Sequence, residues 1–300
     1  MEQRIAAPDG ADIVVHSVGS GPGIVVVHGG GVTIGIYRRL ANQLADRFAV
    51  HLYNRRGRED AGPRREPYTF EQDIDDLGAV LAHTGARNVI GHSSGGFIAL
   101  QAALRLPIER LALYDAAVGV EGIFPGGWLD DARAAAAAGD IPRAMALTSA
   151  GINTHSAAAR LPLAVQIAMC RVFLRTPIGR MMGGLLASTL DESHQIRLAE
   201  GPAELWAGVR ARVLLAYGSA GPQYYAPLNA ALGAAIPDAR VLPIPRSGHD
   251  GLNRAPGRVV EPIAAFFGEG ASDVSGASDV SGVSGVSGST EDPEASRTSR

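Results

Sequence analysis

A serine held between two glycines, where a buried strand gives way to a helix, constrains this chain's architecture more than any other feature. Arg87-Asn88-Val89-Ile90 reads as a short buried strand, and Gly95 to Leu104 as a helix. Between them lies Gly91-His92-Ser93-Ser94-Gly95. So tight a corner pushes the Ser93 hydroxyl out at the carboxyl end of a parallel sheet. The flanking glycines are needed because a β-carbon there would meet the neighbouring strand and helix.

The rest of the chain supplies such a sheet. Residues 2–18 read as a hairpin around Pro8-Asp9-Gly10, followed by Ile24-Val25-Val26-Val27, an apolar run suited to a strand buried on both faces. A helix is expected over 36–46, a strand over 48–53, and a helix over 69–83 with Ile74, Leu77, Val80 and Leu81 on one stripe. After the serine corner come strands at 111–114, 213–217 and 241–244, and a closing helix over 256–267. This alternation predicts an α/β fold with a mainly parallel sheet covered by helices on both faces. Residues 121–205 break the pattern with helical composition and no convincing strand, and are expected to form a lid over the sheet's carboxyl edge. The expected division is 1–120 and 206–268 for the two parts of the core, 121–205 for the insertion and 269–300 for a tail. The tail repeats Ala-Ser-Asp-Val-Ser-Gly and has no aromatic residue, a composition that predicts disorder.

Composition excludes several classes of function. A net charge of -3 in 300 residues argues against nucleic acid as the main partner. All 27 basic residues are arginine, which fits a high-GC coding sequence. The single cysteine, Cys170, rules out an internal disulfide framework and reads as a small apolar helix residue. The N-terminus has no apolar signal core and no run is long enough to span a bilayer, so no membrane insertion and a cytoplasmic location are expected. No histidine pair has metal-ligand spacing with nearby carboxylates, and neither metal nor cofactor is expected. Oligomeric state is left open.

In its strand–turn–helix setting, Gly91 to Gly95 resembles the nucleophile elbow of the alpha/beta-hydrolase family, and the resemblance extends from Arg4 to Phe267. It implies that fold and a chain order of serine, acid, histidine. A serine needs a base to act as a nucleophile at neutral pH. His249, in Ser247-Gly248-His249-Asp250 after the last strand, satisfies the order. His155 and His194 fall in the insertion, where they are placed to touch substrate, whereas His16, His51 and His83 read as surface or packing residues.

The acid follows by elimination. Many family members place it in a Gly-x-x-Asp turn after the next-to-last strand, but here that turn is Gly218-Ser219-Ala220-Gly221. Asp250 adjoins the histidine and is poorly placed to bond the far side of its ring. Asp115 follows the strand after the elbow helix and shares the sheet edge with Ser93. Some members, haloalkane dehalogenases among them, carry their acid there. Asp115 is the choice and Asp250 the alternative.

His28-Gly29-Gly30-Gly31 resembles the family's His-Gly opening, which implies an oxyanion hole made by the Gly30 and Ser94 amides. A phosphate-cradling loop would need the Gly-Lys-Ser/Thr ending that is missing here. Gly29, Gly31, His92 and, from the insertion, Met182 are expected against the substrate. Asn54-Arg55-Arg56-Gly57-Arg58 resembles the family's Asp-x-x-Gly-x-Gly loop. Structural ion pairing is the favoured reading for its arginines, and binding of an anionic substrate or carrier the alternative.

The resemblance implies hydrolysis of an ester or thioester through an acyl-enzyme on Ser93, with a small-molecule or carrier-bound acyl substrate. Actinobacterial stand-alone hydrolases and discrete thioesterases that release polyketide chains are similar in layout. An epoxide hydrolase or dehalogenase would need aspartate at position 93. A cofactor-independent haloperoxidase or carbon–carbon bond hydrolase shares the same serine arrangement. A non-catalytic binding protein would be expected to lose one of Ser93 and His249, and both are present.

Overall fold

The N-terminal hairpin pairs β1 (Glu2–Ala6) with β2 (Asp12–Val18) around the Pro8-Asp9-Gly10 turn. In the computed structural model, which describes residues 1–154 and 156–269, it forms one edge of an eight-stranded sheet. The chain continues through β3 (Gly23–Val27), α1 (Arg38–Leu44), β4 (Ala49–Tyr53), α2 (Glu71–Thr84), β5 (Asn88–His92), α3 (Ser94–Ala103) and β6 (Arg110–Tyr114). Five helices follow: α4 (Leu129–Ala137), α5 (Ile141–Ile152), α6 (Leu163–Phe173), α7 (Pro177–Gly184) and α8 (Leu186–Leu198). Then come β7 (Arg212–Gly218), α9 (Tyr225–Ala235), β8 (Ala239–Ile244), α10 (Gly251–Arg254) and α11 (Gly257–Gly268).

The strand order is β1-β2-β4-β3-β5-β6-β7-β8, antiparallel at β1/β2 and β2/β4 and parallel everywhere else. Successive side chains point to opposite faces, and the core divides accordingly. Val25 and Val27 join Ile74, Leu77, Phe97 and Leu228 beneath α2, α3 and α9. Ile24 and Val26 join Leu40, Leu44, Val259 and Phe267 beneath α1 and α11. The continuous apolar run at 24–27 is thus buried on both faces, as its composition predicts.

From β3 the chain passes to β4 on one side and returns to β5 on the other. The carboxyl ends of β3 and β5 therefore flank a topological switch point, where open α/β sheets form their crevice. Helices α4 to α8 enter between β6 and β7 and close around their own apolar cluster, which includes Leu129, Ala132, Met145, Leu186 and Leu190. A β-bridge, Val120 to Gly201, ties the ends of this excursion together. Sheet and inserted helices belong to one unit, Met1–Phe267. Among the described residues no helix is long and apolar enough to cross a membrane. The tail expected to be disordered lies outside the described residues.

Gly95 sets how closely α3 approaches β3. A β-carbon there would lie 2.3 Å from the carbonyl oxygens of both Val27 and His28, backbone atoms that cannot swing aside. Gly95→Ala is expected to destabilise the fold by on the order of 3 kcal/mol, read from the urea midpoint. Gly127→Ala, whose β-carbon would meet nothing within 4 Å, serves as the control and should be nearly neutral. Equal midpoints for the two variants would contradict the close approach.

Candidate active site

Ser93 lies between β5 and α3 with φ 53° and ψ -124°, a conformation that costs a non-glycine residue roughly 1–3 kcal/mol. Its backbone is held from several sides. The Ser93 amide donates to the Tyr114 carbonyl at 3.2 Å, and its carbonyl accepts from the amides of Gly96 at 2.9 Å and Ala117 at 3.0 Å. The side chain is half-buried at the start of α3.

Asp115 leaves β6 with φ 45° and is fully buried. Its Oδ1 accepts the Gly218 amide at 3.0 Å, and its Oδ2 lies 3.1 Å from His249 Nδ1. Both carboxylate oxygens are thus directed, one to a backbone donor and one to the imidazole. The His249 ring stacks on Tyr225 at 5.9 Å with an interplanar angle of 5°. Asp250 instead pairs with Arg254 at the surface. The structure therefore brings His249 to Asp115 and not to Asp250.

A buried chain of hydrogen bonds joins the elbow to the loops on either side of it. The Gly29 amide donates to the Tyr37 hydroxyl at 3.0 Å, and that hydroxyl donates to His92 Nδ1 at 2.6 Å. His92 Nε2–H then donates to the His249 carbonyl at 2.9 Å. The order of donors fixes His92 as neutral imidazole protonated on Nε2. Burial, and then the neighbouring His249, hold its pKa well below the ordinary histidine value, and burial pushes the Tyr37 phenol up to about 12.

Two expected ligand contacts are corrected here. His92 is buried with both ring nitrogens engaged, so it braces the loops and does not face a substrate. The Gly29 amide is likewise already donated. Among the described residues, the Gly30 and Ser94 amides have no intramolecular acceptor. Gly29 and Gly30 run along the elbow: their β-carbons would lie 3.2 Å from Ser93 Cβ and 3.3 Å from Ser94 Oγ. Gly31 takes φ 69° and faces Thr189 of α8.

The second serine of the elbow is tied to a charge network. Ser94 Oγ donates to Glu192 Oε2 at 2.6 Å. Arg55 Nη1 reaches the same oxygen at 3.1 Å and the His28 carbonyl at 3.3 Å, while its Nε bonds Asp73 at 2.9 Å. Arg58 pairs with the other oxygen of Glu192, and Arg56 bridges Asp9 and Asp76. All three arginines are buried, which decides for ion pairing over binding of an anionic ligand. Burial would raise the Glu192 pKa, but Arg55 and Arg58 outweigh it and hold the carboxyl well below the usual range.

Met182, expected against the substrate, is half-buried and packs on the insertion's own cluster. The methionine that reaches the glycine loop is Met181, whose sulfur lies 3.7 Å from Thr33 Oγ1. His194 is half-buried with Nδ1 unpartnered, and His155 lies outside the described residues. Sequence reasoning missed Tyr37 and Glu192. Nothing in their local spacing sets them apart, since each acts through a partner distant in sequence. Among the described residues no group of three or more His, Cys, Asp or Glu side chains could hold a metal ion.

Residues 24–261 match the profile of the Alpha/beta hydrolase family. Among curated proteins, the chain is 38% identical over 100 residues to a pimeloyl-[acyl-carrier protein] methyl ester esterase of Stenotrophomonas maltophilia, a match covering 32% of this chain and 36% of that protein. It is 39% identical over 104 residues to the enzyme of the same name from Chromobacterium violaceum, covering 34% and 40%. The aligned part therefore spans well under half the length of these relatives. Among solved structures, an alpha/beta hydrolase from Sphaerobacter thermophilus superposes with a TM-score of 0.73 at 28% identity, covering 88% of this chain and 100% of that one.

The buried histidines carry a prediction for stability against pH. His28 is held neutral by burial and by Arg58 and Arg55, and its Nε2 accepts the Arg55 amide at 3.0 Å. For both His28 and His92 the folded pKa lies below the unfolded value, so below about pH 6.5 the unfolded chain takes up protons that the folded chain does not. Stability is expected to fall as pH drops from 7.5 to 5.5, by about 1.4 kcal/mol for each histidine. Urea unfolding at the two pH values measures it, and a flat profile would contradict the assignment of neutral imidazoles.

Proposed function

The chain belongs to the alpha/beta hydrolase family, and on that premise we propose that it hydrolyses carboxylic esters, with Ser93 as nucleophile, His249 as proton carrier and Asp115 orienting the imidazole. The observation that carries this reading is the His249–Asp115 pair, set beside a half-buried serine held in a strained turn at the same sheet edge.

In this mechanism Ser93 Oγ attacks the ester carbonyl as His249 Nε2 takes its proton. Asp115 accepts the Nδ1–H and favours the tautomer that leaves Nε2 free to do so. The negative charge that develops on the carbonyl oxygen meets the amides of Gly30 and Ser94. Their availability, against the prior engagement of Gly29, supports this choice of donors. His249 returns the proton to the departing alcohol and then activates the water that releases the acyl group. The names of the relatives point to an ester on a carrier-bound acyl chain as one candidate substrate. A thioester would follow the same steps.

Ser93→Ala is expected to lower kcat by roughly 10⁴–10⁶-fold while leaving the melting temperature unchanged. Asp115→Asn keeps the shape but favours the wrong tautomer, and should cost on the order of 10⁴-fold. Asp250→Asn should stay close to wild type. The mechanism fails if the Ser93 variant retains turnover, and the choice of acid fails if the two aspartate variants exchange their outcomes.

The inserted helices are proposed to shape the acyl pocket, since Met181 and Thr189 come down on the glycine loop. An aryl-ester series of rising acyl length should gain up to roughly fourfold in kcat/KM per methylene until the pocket fills, corresponding to about 0.8 kcal/mol of burial each. Met181→Ser should flatten the series and Met182→Ser should not. A flat wild-type series would make the insertion scaffolding only.

A further inference from the structure

Helix α6 is apolar at every position but Gln166 and Arg171, yet has no buried residue. A helix of that composition is expected inside a core or against a non-aqueous partner. Its inner side is accounted for: Cys170 and Leu174 pack against the insertion's own cluster. Its outer side is not. Val165, Met169, Val172 and Phe173 follow one another at helical spacing and are all exposed, Val172 to 63%. Leu161 before the helix and Ile178 on α7, the latter 55% exposed, extend the same kind of surface. Large apolar side chains concentrated in this way on a water-facing element mark an interaction surface.

The charge of the segment narrows the partner. Residues 141–190 contain Arg143, Arg160, Arg171, Arg175 and Arg180 and not one Asp or Glu, in a chain whose net charge is -3. None of these five arginines forms an ion pair with a carboxylate among the described residues. The nearest acids are otherwise engaged. Asp140 caps α5, Asp191 pairs with Arg64, and Glu192 is buried between Arg55 and Arg58. An apolar stripe among uncompensated cations fits an anionic amphiphile.

We propose that the outer face of α6 and α7 seats the protein on an anionic lipid surface. The apolar stripe enters the boundary between headgroups and acyl chains, and the arginine stems lie along it with their guanidinium groups at the phosphates. Shape favours lipid over a folded acidic partner. With no buried residue, α6 presents its outer side chains at the surface, which a fluid interface accommodates and a rigid partner would have to match with a groove. The seat adjoins the proposed site, because Met181 on α7 reaches Thr33 of the glycine loop. An ester dissolved in the lipid would meet the protein at that end. The lipid contact itself does not depend on the esterase reading.

The test is sedimentation of the full chain with vesicles of phosphatidylglycerol or of phosphatidylcholine. Binding to the phosphatidylglycerol vesicles is expected, weakening as salt is added. Met169→Glu/Val172→Glu should weaken it at least about tenfold. Arg171→Gln/Arg175→Gln should remove the preference for the anionic vesicles. The melting temperature of each variant checks its folding, and Val172→Ser, a milder change at an exposed position, gives the same direction should the acidic pair misfold. The proposal is overturned if wild type ignores both vesicles, or if the acidic variant binds like wild type. It is also overturned if the face proves to join two copies of the chain, shown by a dimer that Val172→Glu splits. Capture of an acidic acyl carrier protein through this face, without vesicle binding, would overturn it as well.

Discussion

The close approach of α3 to β3 is the constraint on which the site depends. With only a hydrogen on Gly95, the helix start settles onto the carbonyls of Val27 and His28. That contact fixes the tight turn at Ser93, and the turn brings the Ser94 amide and the glycine loop to the same place. Strain at Ser93 is tolerable because its amide and carbonyl are both held by the strand and loop beside it. A looser corner would leave the serine hydroxyl on the helix surface, away from the sheet edge where Asp115 emerges.

Around that corner the protein relies on two kinds of polar bracing. The Gly29–Tyr37–His92–His249 chain is neutral and short, and it links the glycine loop to the histidine loop through the residue that precedes Ser93. The Arg55–Glu192–Ser94 cluster is charged and joins a helix of the insertion to the elbow. Buried ion pairs contribute little net stability against an apolar alternative, but removing one partner leaves a costly uncompensated charge. Helix α8 is therefore pinned to the sheet beside the site. The exposed apolar helices, α6 and α7, precede it in the same insertion.

The parts of this arrangement legible in the sequence are those encoded locally. The continuous apolar run at 24–27 and the glycines around Ser93 give the sheet and the corner, because a strand buried on both faces and a tight turn are each written in adjacent residues. Asp115 could be chosen because parallel strands share an edge, a topological argument that needs no contact map. The expected contact of His92 with substrate was misplaced for the opposite reason. Which way that side chain faces depends on Tyr37 and the His249 carbonyl, both remote in sequence. Glu192 shows the same limit: a carboxylate on a surface-like helix becomes buried only because Arg55 and Arg58 reach it from a distant loop.

The central claim is that the strained corner turns Ser93 into a nucleophile served by His249, and trapping the acylated protein tests it most directly. An aryl ester is mixed with excess enzyme, the mixture is quenched in acid within the first turnover, and the peptides are weighed. The account predicts one acyl group on the peptide containing Ser93, appearing with a burst of alcohol equal to the enzyme present. Turnover with the acyl group on another residue, or with no acylated peptide at any time, would contradict it.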